Sequence, residues 1–122
     1  MIEVEETGTY ATMVAALAKP GNNIHLTLDG DKCNLWHMAT GISGESGELL
    51  DAVKKHVIYL KPLDTANVIE ELGDLEFFME GLRQALGISR EQTLLANMSK
   101  LKVRYDRMVY SDKHAQERVD KQ

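Results

Sequence analysis

The stretch LWHMATGISGESGELLDAVKKH, residues 35–56, decides the fold. Leu35, Met38, Ile42, Leu49, Ala52, Val53 and His56 recur in it at helical spacing. Asp29 or Asp31 can cap the start, and the pattern fades near Tyr59, which predicts one long helix. Gly41, Gly44 and Gly47 lie inside it. Each costs up to about 1 kcal/mol relative to alanine in a helix. Close approach of another helix or of a ligand is the natural reason to keep them.

Working outward, Lys61-Pro62-Leu63-Asp64 breaks the pattern, and a second strong helix follows from about Thr65 to Leu86, stopped by Gly87. Ser89 with Gln92 three residues later is a capping-box pattern that opens a further helix to about Met108. The tail, about residues 111–122, is polar and reads as frayed or loosely helical. On the N-terminal side, Tyr10, Met13, Val14 and Leu17 mark a helix over about residues 5–18. Lys19-Pro20-Gly21-Asn22-Asn23 ends it, and residues 24–30 read as a connector. Three or four helices with short links and no strand pattern predict an all-α bundle. Residues 1–122 read as one domain with its core at about 30–109.

Composition narrows the function. The net charge of −5 disfavours non-specific nucleic-acid binding, which needs a basic surface to displace counterions. A small anionic ligand stays open, because a bound cation reverses the sign of a site. Cys33 is the single cysteine, so no intrachain disulfide forms, and it reads as a small half-buried thiol. No apolar run approaches the ~20 residues that span a membrane, and the acidic N-terminus lacks a signal-peptide pattern. The cytoplasm is the expected location.

The carboxylates carry the chemistry. A helix turns about 100° per residue, so residues three, four and seven apart share a face. Glu45 and Glu48 fall in the same arc as Met38, Leu49, Ala52 and His56. Glu71 and Asp74 fall among Leu75, Phe78 and Leu82, whereas Glu70, Glu76 and Glu80 point away. An ionised carboxylate buried without a partner costs several kcal/mol, and like charges add to that cost. Four together call for a cation. An all-carboxylate oxygen set suits a hard ion, Mg²⁺ first and Mn²⁺ second. Zinc lacks its Cys/His ligand spacing here.

Cations and an amide sit nearby in the pattern. Asn97, Lys100 and Arg104 line one margin of the stripe formed by Leu94, Leu95, Met98, Leu101 and Tyr105. Donors of these kinds suit a metal-bound polyphosphate. His37 and Lys55 flank the Glu48 side of the long helix. Trp36 points opposite Glu45 and is assigned to packing or an oligomer interface.

These residues resemble a known family. Gly41-Ile42-Ser43-Gly44-Glu45-Ser46-Gly47-Glu48-Leu49, followed by Asp51-Ala52-Val53-Lys54-Lys55, resembles the second helix of MazG-like nucleotide pyrophosphohydrolases. Ile69-Glu70-Glu71-Leu72-Gly73-Asp74-Leu75 resembles their second acidic element, and Asn97, Lys100, Arg104 and Tyr105 resemble their phosphate-contacting helix. The resemblance covers about residues 34–106. It implies an all-α, MazG-like fold on a four-helix core, assembled as a homodimer or homotetramer. It implies Mg²⁺-dependent hydrolysis of a nucleoside triphosphate, a deoxynucleotide or a non-canonical one, to the monophosphate and pyrophosphate. Glu45, Glu48, Glu71 and Asp74 become metal ligands by this resemblance. In the related dimeric dUTPases the second glutamate of the first pair also orients the attacking water, which points to Glu48 as general base. Substrate contacts are expected from His37, Lys55, Phe78, Asn97, Lys100, Arg104 and Tyr105, with the base among apolar residues such as Phe78. One departure is that Gly44, not a second glutamate, precedes Glu45.

Rival readings are a phosphoribosyl-ATP pyrophosphohydrolase on the same scaffold and a non-catalytic helical module that binds nucleotide or a partner. A ferritin-like di-iron protein expects a glutamate-x-x-histidine spacing that this sequence lacks.

Overall fold

The structure is a computed structural model that describes residues 4–118. Its elements are α1 (Val4–Leu17), α2 (Gly21–Thr27), α3 (Gly30–Val57), α4 (Thr65–Leu86), α5 (Arg90–Arg104) and α6 (Asp112–Glu117), and the described residues contain no strand. The chain divides into two compact units, residues 1–33 and 34–122.

The first unit corrects two expectations. Residues 21–27 are helical, not a connector. Pro20 stands at the N-cap with φ −60° and ψ 137°, so the residue that ends one helix also opens the next. Thr27 Oγ1 donates to the Ile24 carbonyl at 3.1 Å and helps close that short helix. Asp29 caps the start of α3, its Oδ1 accepting from the Lys32 amide at 2.8 Å. Cys33 is exposed rather than half-buried, so burial does not shield its thiol.

In the second unit α3 and α4 form an antiparallel pair. Met38 faces Gly81, Gly41 faces Phe78, and Glu45 faces Glu71 and Asp74, so the partner number falls on α4 as it rises on α3. Two glycines make this possible. A Cβ on Gly41 would lie 2.2 Å from Phe78 Cδ1, and one on Gly81 would lie 2.3 Å from Met38 Sδ. Each helix therefore offers a bare notch to a large side chain of the other. Gly44 and Gly47 meet nothing within 4 Å, so of Gly41, Gly44 and Gly47 only Gly41 is closely approached by another helix.

The links match their chemistry. Asp64 caps α4 by accepting from the Asn67 amide at 3.1 Å. Gly87 ends α4 in the left-handed region at φ 67°, where glycine has no steric cost. Ser89 and Gln92 form the reciprocal capping box of α5. α5 stops at Arg104, short of the expected Met108. No glycine or proline marks that stop. Tyr105 instead turns out to pack its ring on Tyr110 (centroids 5.8 Å apart) and His114 (6.3 Å). The start of the tail is ordered into α6, with Ser111 accepting from the His114 amide. Residues 119–122 of the expected tail lie outside the described residues.

Little of this unit is enclosed. Among the described residues only Ala52 and Arg83 are buried. Trp36, Leu50, Ile69, Leu72 and Phe77 are all exposed.

Candidate metal and nucleotide site

The α3–α4 pairing draws Glu45, Glu71 and Asp74 together, with one carboxylate oxygen from each inside a 4.8 Å spread. Glu45 and Glu71 are half-buried and Asp74 is exposed. Glu71 Oε2 is shut off from solvent and has no hydrogen-bond partner. Its carboxyl is held above the usual range, first by loss of solvent, then by the neighbouring Glu45 carboxyl, and further by the charges of Glu48 and Asp74. Glu48 stands outside the tight cluster but within electrostatic reach of Glu71.

An orphaned carboxylate oxygen among like charges is costly unless something positive joins it. The donor set is oxygen only, which fits a hard divalent cation. The fit is also one of shape, since one side of the cluster comes from α3 and the other from α4 and the helices hold it without a loop.

Phe78 lies one turn beyond Asp74. Its ring meets His37 in a tilted contact at 6.1 Å and Phe77 edge-on at 5.2 Å. The structure thus brings His37 and Phe78 together. Lys55 pairs with Asp51 on an exposed face at 3.3 Å. On α5, Lys100 and Arg104 are half-buried and Asn97 is exposed. Tyr105 belongs to the aromatic group with Tyr110 and His114. Tyr110 donates its hydroxyl proton to Asp112, which raises the Tyr110 pKa.

A MazG nucleotide pyrophosphohydrolase domain matches residues 35–109. That span covers more than half of the chain and takes in α4, α5 and nearly all of the second-unit part of α3. The chain belongs to the MazG nucleotide pyrophosphohydrolase family. It is therefore an enzyme of the nucleotide pyrophosphohydrolase kind, and the acidic cluster suits the divalent-metal dependence general in MazG proteins. No curated protein and no solved structure matches the chain. No helix among the described residues is long and apolar enough to cross a membrane.

One polar constellation escaped the sequence reading. Arg83 is buried, with only 6% of its surface exposed. Its Nη2 donates to Glu76 at 2.7 Å and its Nε to Glu80 at 3.0 Å. Gln84 donates to the other Glu80 oxygen at 3.0 Å, and Arg90 lies 3.9 Å from Glu76. The signal was present as acid–base spacings of three and seven on one helix. This MazG chain places that network beside a groove of about 840 Å³ that shares no residue with the carboxylate cluster.

Proposed function

We propose that the chain hydrolyses a nucleoside triphosphate, a deoxynucleotide or a non-canonical one, between its α and β phosphates, releasing pyrophosphate and the monophosphate. The observation that carries this reading is the partnerless Glu71 oxygen inside a three-carboxylate cluster. Glu45, Glu71 and Asp74 hold Mg²⁺, with Mn²⁺ as substitute and Glu48 as fourth ligand. The bound ion supplies charge neutralisation at the phosphate oxygens and fixes their geometry. Glu48 also orients the attacking water and takes its proton, a role that suits a carboxylate outside the tight cluster. Asn97, Lys100 and Arg104 donate to the phosphates, and Lys55 joins them after leaving Asp51. Such an exchange is cheap, because exposed ion pairs are worth only about 0–1 kcal/mol. His37 and Phe78 receive the base, and Tyr105 borders the phosphate end.

The working form is a homodimer or homotetramer in the cytoplasm. Many large apolar side chains of the second unit stand exposed, Trp36, Leu50, Ile69, Leu72 and Phe77 among them, while among the described residues only Ala52 and Arg83 are buried. Burying one such side chain fully stabilises a protein by about 1.5–3 kcal/mol. A partner copy is the economical cover for them, and sedimentation of the purified chain at a monomer mass would sink this part.

The deciding experiment is a panel of canonical and modified nucleoside triphosphates, with phosphoribosyl-ATP included, scored for pyrophosphate and monophosphate with Mg²⁺, Mn²⁺ or chelator. Metal-dependent release of both products from one triphosphate is expected. Mg²⁺-dependent binding without pyrophosphate release would replace the enzyme reading with a binding module.

A further inference from the structure

The contacts that bring α3 and α4 together lie immediately beside the carboxylates. Gly41 is one turn before Glu45 on α3, and Phe78 is one turn after Asp74 on α4. A turn rises about 5.4 Å, so the Phe78–Gly41 contact is the next layer of the same helix pair. The Met38–Gly81 contact is the layer after that.

The two layers differ in stiffness. A Cβ at position 41 would lie 2.2, 2.4 and 2.5 Å from three atoms of the Phe78 ring. These atoms form one rigid edge, so the ring must move as a body by roughly 1 Å or more to regain van der Waals distance. Phe77 and His37 sit against the same ring at 5.2 and 6.1 Å and hinder a simple rotation. At position 81 the near atom is a single thioether sulfur at 2.3 Å, with the next Met38 atoms at 3.3 and 3.7 Å. Methionine has rotatable bonds on both sides of that sulfur and can swing aside.

We propose that Gly41 is a positioning residue for the carboxylate site: its bare backbone seats the Phe78 ring and so sets the α3–α4 separation at which Glu45, Glu71 and Asp74 converge. This rests on the metal reading given under Proposed function. A small ion such as Mg²⁺ holds oxygens at about 2.0–2.1 Å and tolerates little spread, so a displacement of roughly 1 Å in the adjacent layer reaches the ligands. Gly81 performs the same task one layer farther off and against a softer knob.

The test measures Mn²⁺ binding by the full chain without nucleotide, from the electron paramagnetic resonance of the free ion, with far-ultraviolet circular dichroism as a check on folding. Gly41→Ala is expected to keep its helical signal and to bind Mn²⁺ about tenfold more weakly or worse, the scale of outer-layer effects on metal sites. Gly81→Ala is expected to stay within about threefold of the parent, because Met38 yields. Gly41→Ala combined with Phe78→Leu should recover most of the lost affinity, since the smaller side chain again fits the notch. Should Gly41→Ala unfold, recovery of both fold and Mn²⁺ affinity in the double variant still tests the seat. Parent-like Mn²⁺ affinity in Gly41→Ala overturns the positioning role and leaves the metal reading standing. A double variant no better than Gly41→Ala overturns it likewise. If the parent chain binds no Mn²⁺, the metal reading falls and takes this role with it.

Discussion

Two glutamates of α4, nine residues apart, live in opposite circumstances. Glu80 accepts from Arg83 on one oxygen and from Gln84 on the other, each at 3.0 Å. Those bonds, Gln84 first and Arg83 second, hold its carboxyl below the usual range. Glu71 is acted on by the acids Glu45, Glu48 and Asp74, keeps one buried oxygen without a partner, and is held above that range, first by loss of solvent. The same helix therefore supplies a built-in counter-charge at one end and withholds it at the other. Where the chain brings its own arginine, the acids are structural. Where it brings none, the proposed metal ion would supply the counter-charge.

The comparison breaks most sharply if Glu71 is dispensable. Glu71→Gln and Asp74→Asn should each lower pyrophosphate release by about a hundredfold or more, because ligand loss removes several kcal/mol of transition-state stabilisation. Helical circular dichroism should be unchanged. Full activity in both variants would end the assignment of this cluster as the metal site.

Acid should act on the two glutamates in opposite directions. The folded-state pKa of Glu71 is raised above the ordinary glutamate value by loss of solvent and the acids around it, so the fold favours its protonated form. Stability from that protonation is present below the unfolded value and is lost as pH rises through the folded value. Mg²⁺ should therefore raise the melting temperature most at neutral pH and progressively less as pH falls through the raised folded value of Glu71. For Glu80 the folded value is lowered, so its contribution is present above 4.5 and is lost only as pH falls below that. Equal Mg²⁺ shifts at neutral and acid pH would blur the distinction.

Arg83→Met should lower the melting temperature by about 5 °C, a middling effect for a chain of this size. The buried partner is the cation, and the acids it leaves behind are half exposed and can turn to water. Mn²⁺ affinity should stay at the parent level, since Arg83 touches none of the clustered acids. The smallest effect belongs to Glu80→Gln, about 2 °C or less, because Gln84 and Arg83 lose one shared partner near solvent. A Mn²⁺ affinity that fell with either variant would show that the two acid groups are coupled along α4.

The positions of Glu45, Glu71 and Asp74 were legible because helical phase is a local property and each sits in an apolar stripe. Their convergence was not, because the register between two helices depends on which side chains can pass each other. Gly41 and Gly81 decide that, and a helix wheel shows a glycine as a gap without naming its occupant. Arg83 escaped for a related reason. Its face of α4 holds Glu76 and Glu80, which point away from the apolar stripe, yet the acids themselves pair with the buried guanidinium. The starts of α4 and α5 were readable from Asp64, Ser89 and Gln92, whose side chains bond within their own turn. The end of α5 was not, since Tyr105 is diverted by rings that come later in the chain.

The joint between α4 and α5 has a consequence for chain length. Gly87 donates its amide toward Arg83 and Gln84, Ile88 donates to the Arg83 carbonyl at 3.0 Å, and Ser89 exchanges bonds with Gln92 at 2.8 and 3.0 Å. Two end-motifs of opposite helices share three consecutive residues, with no spare residue between them. An insertion or deletion of one residue there breaks both motifs together, so this elbow is a poor place to graft a tag or open a permuted terminus.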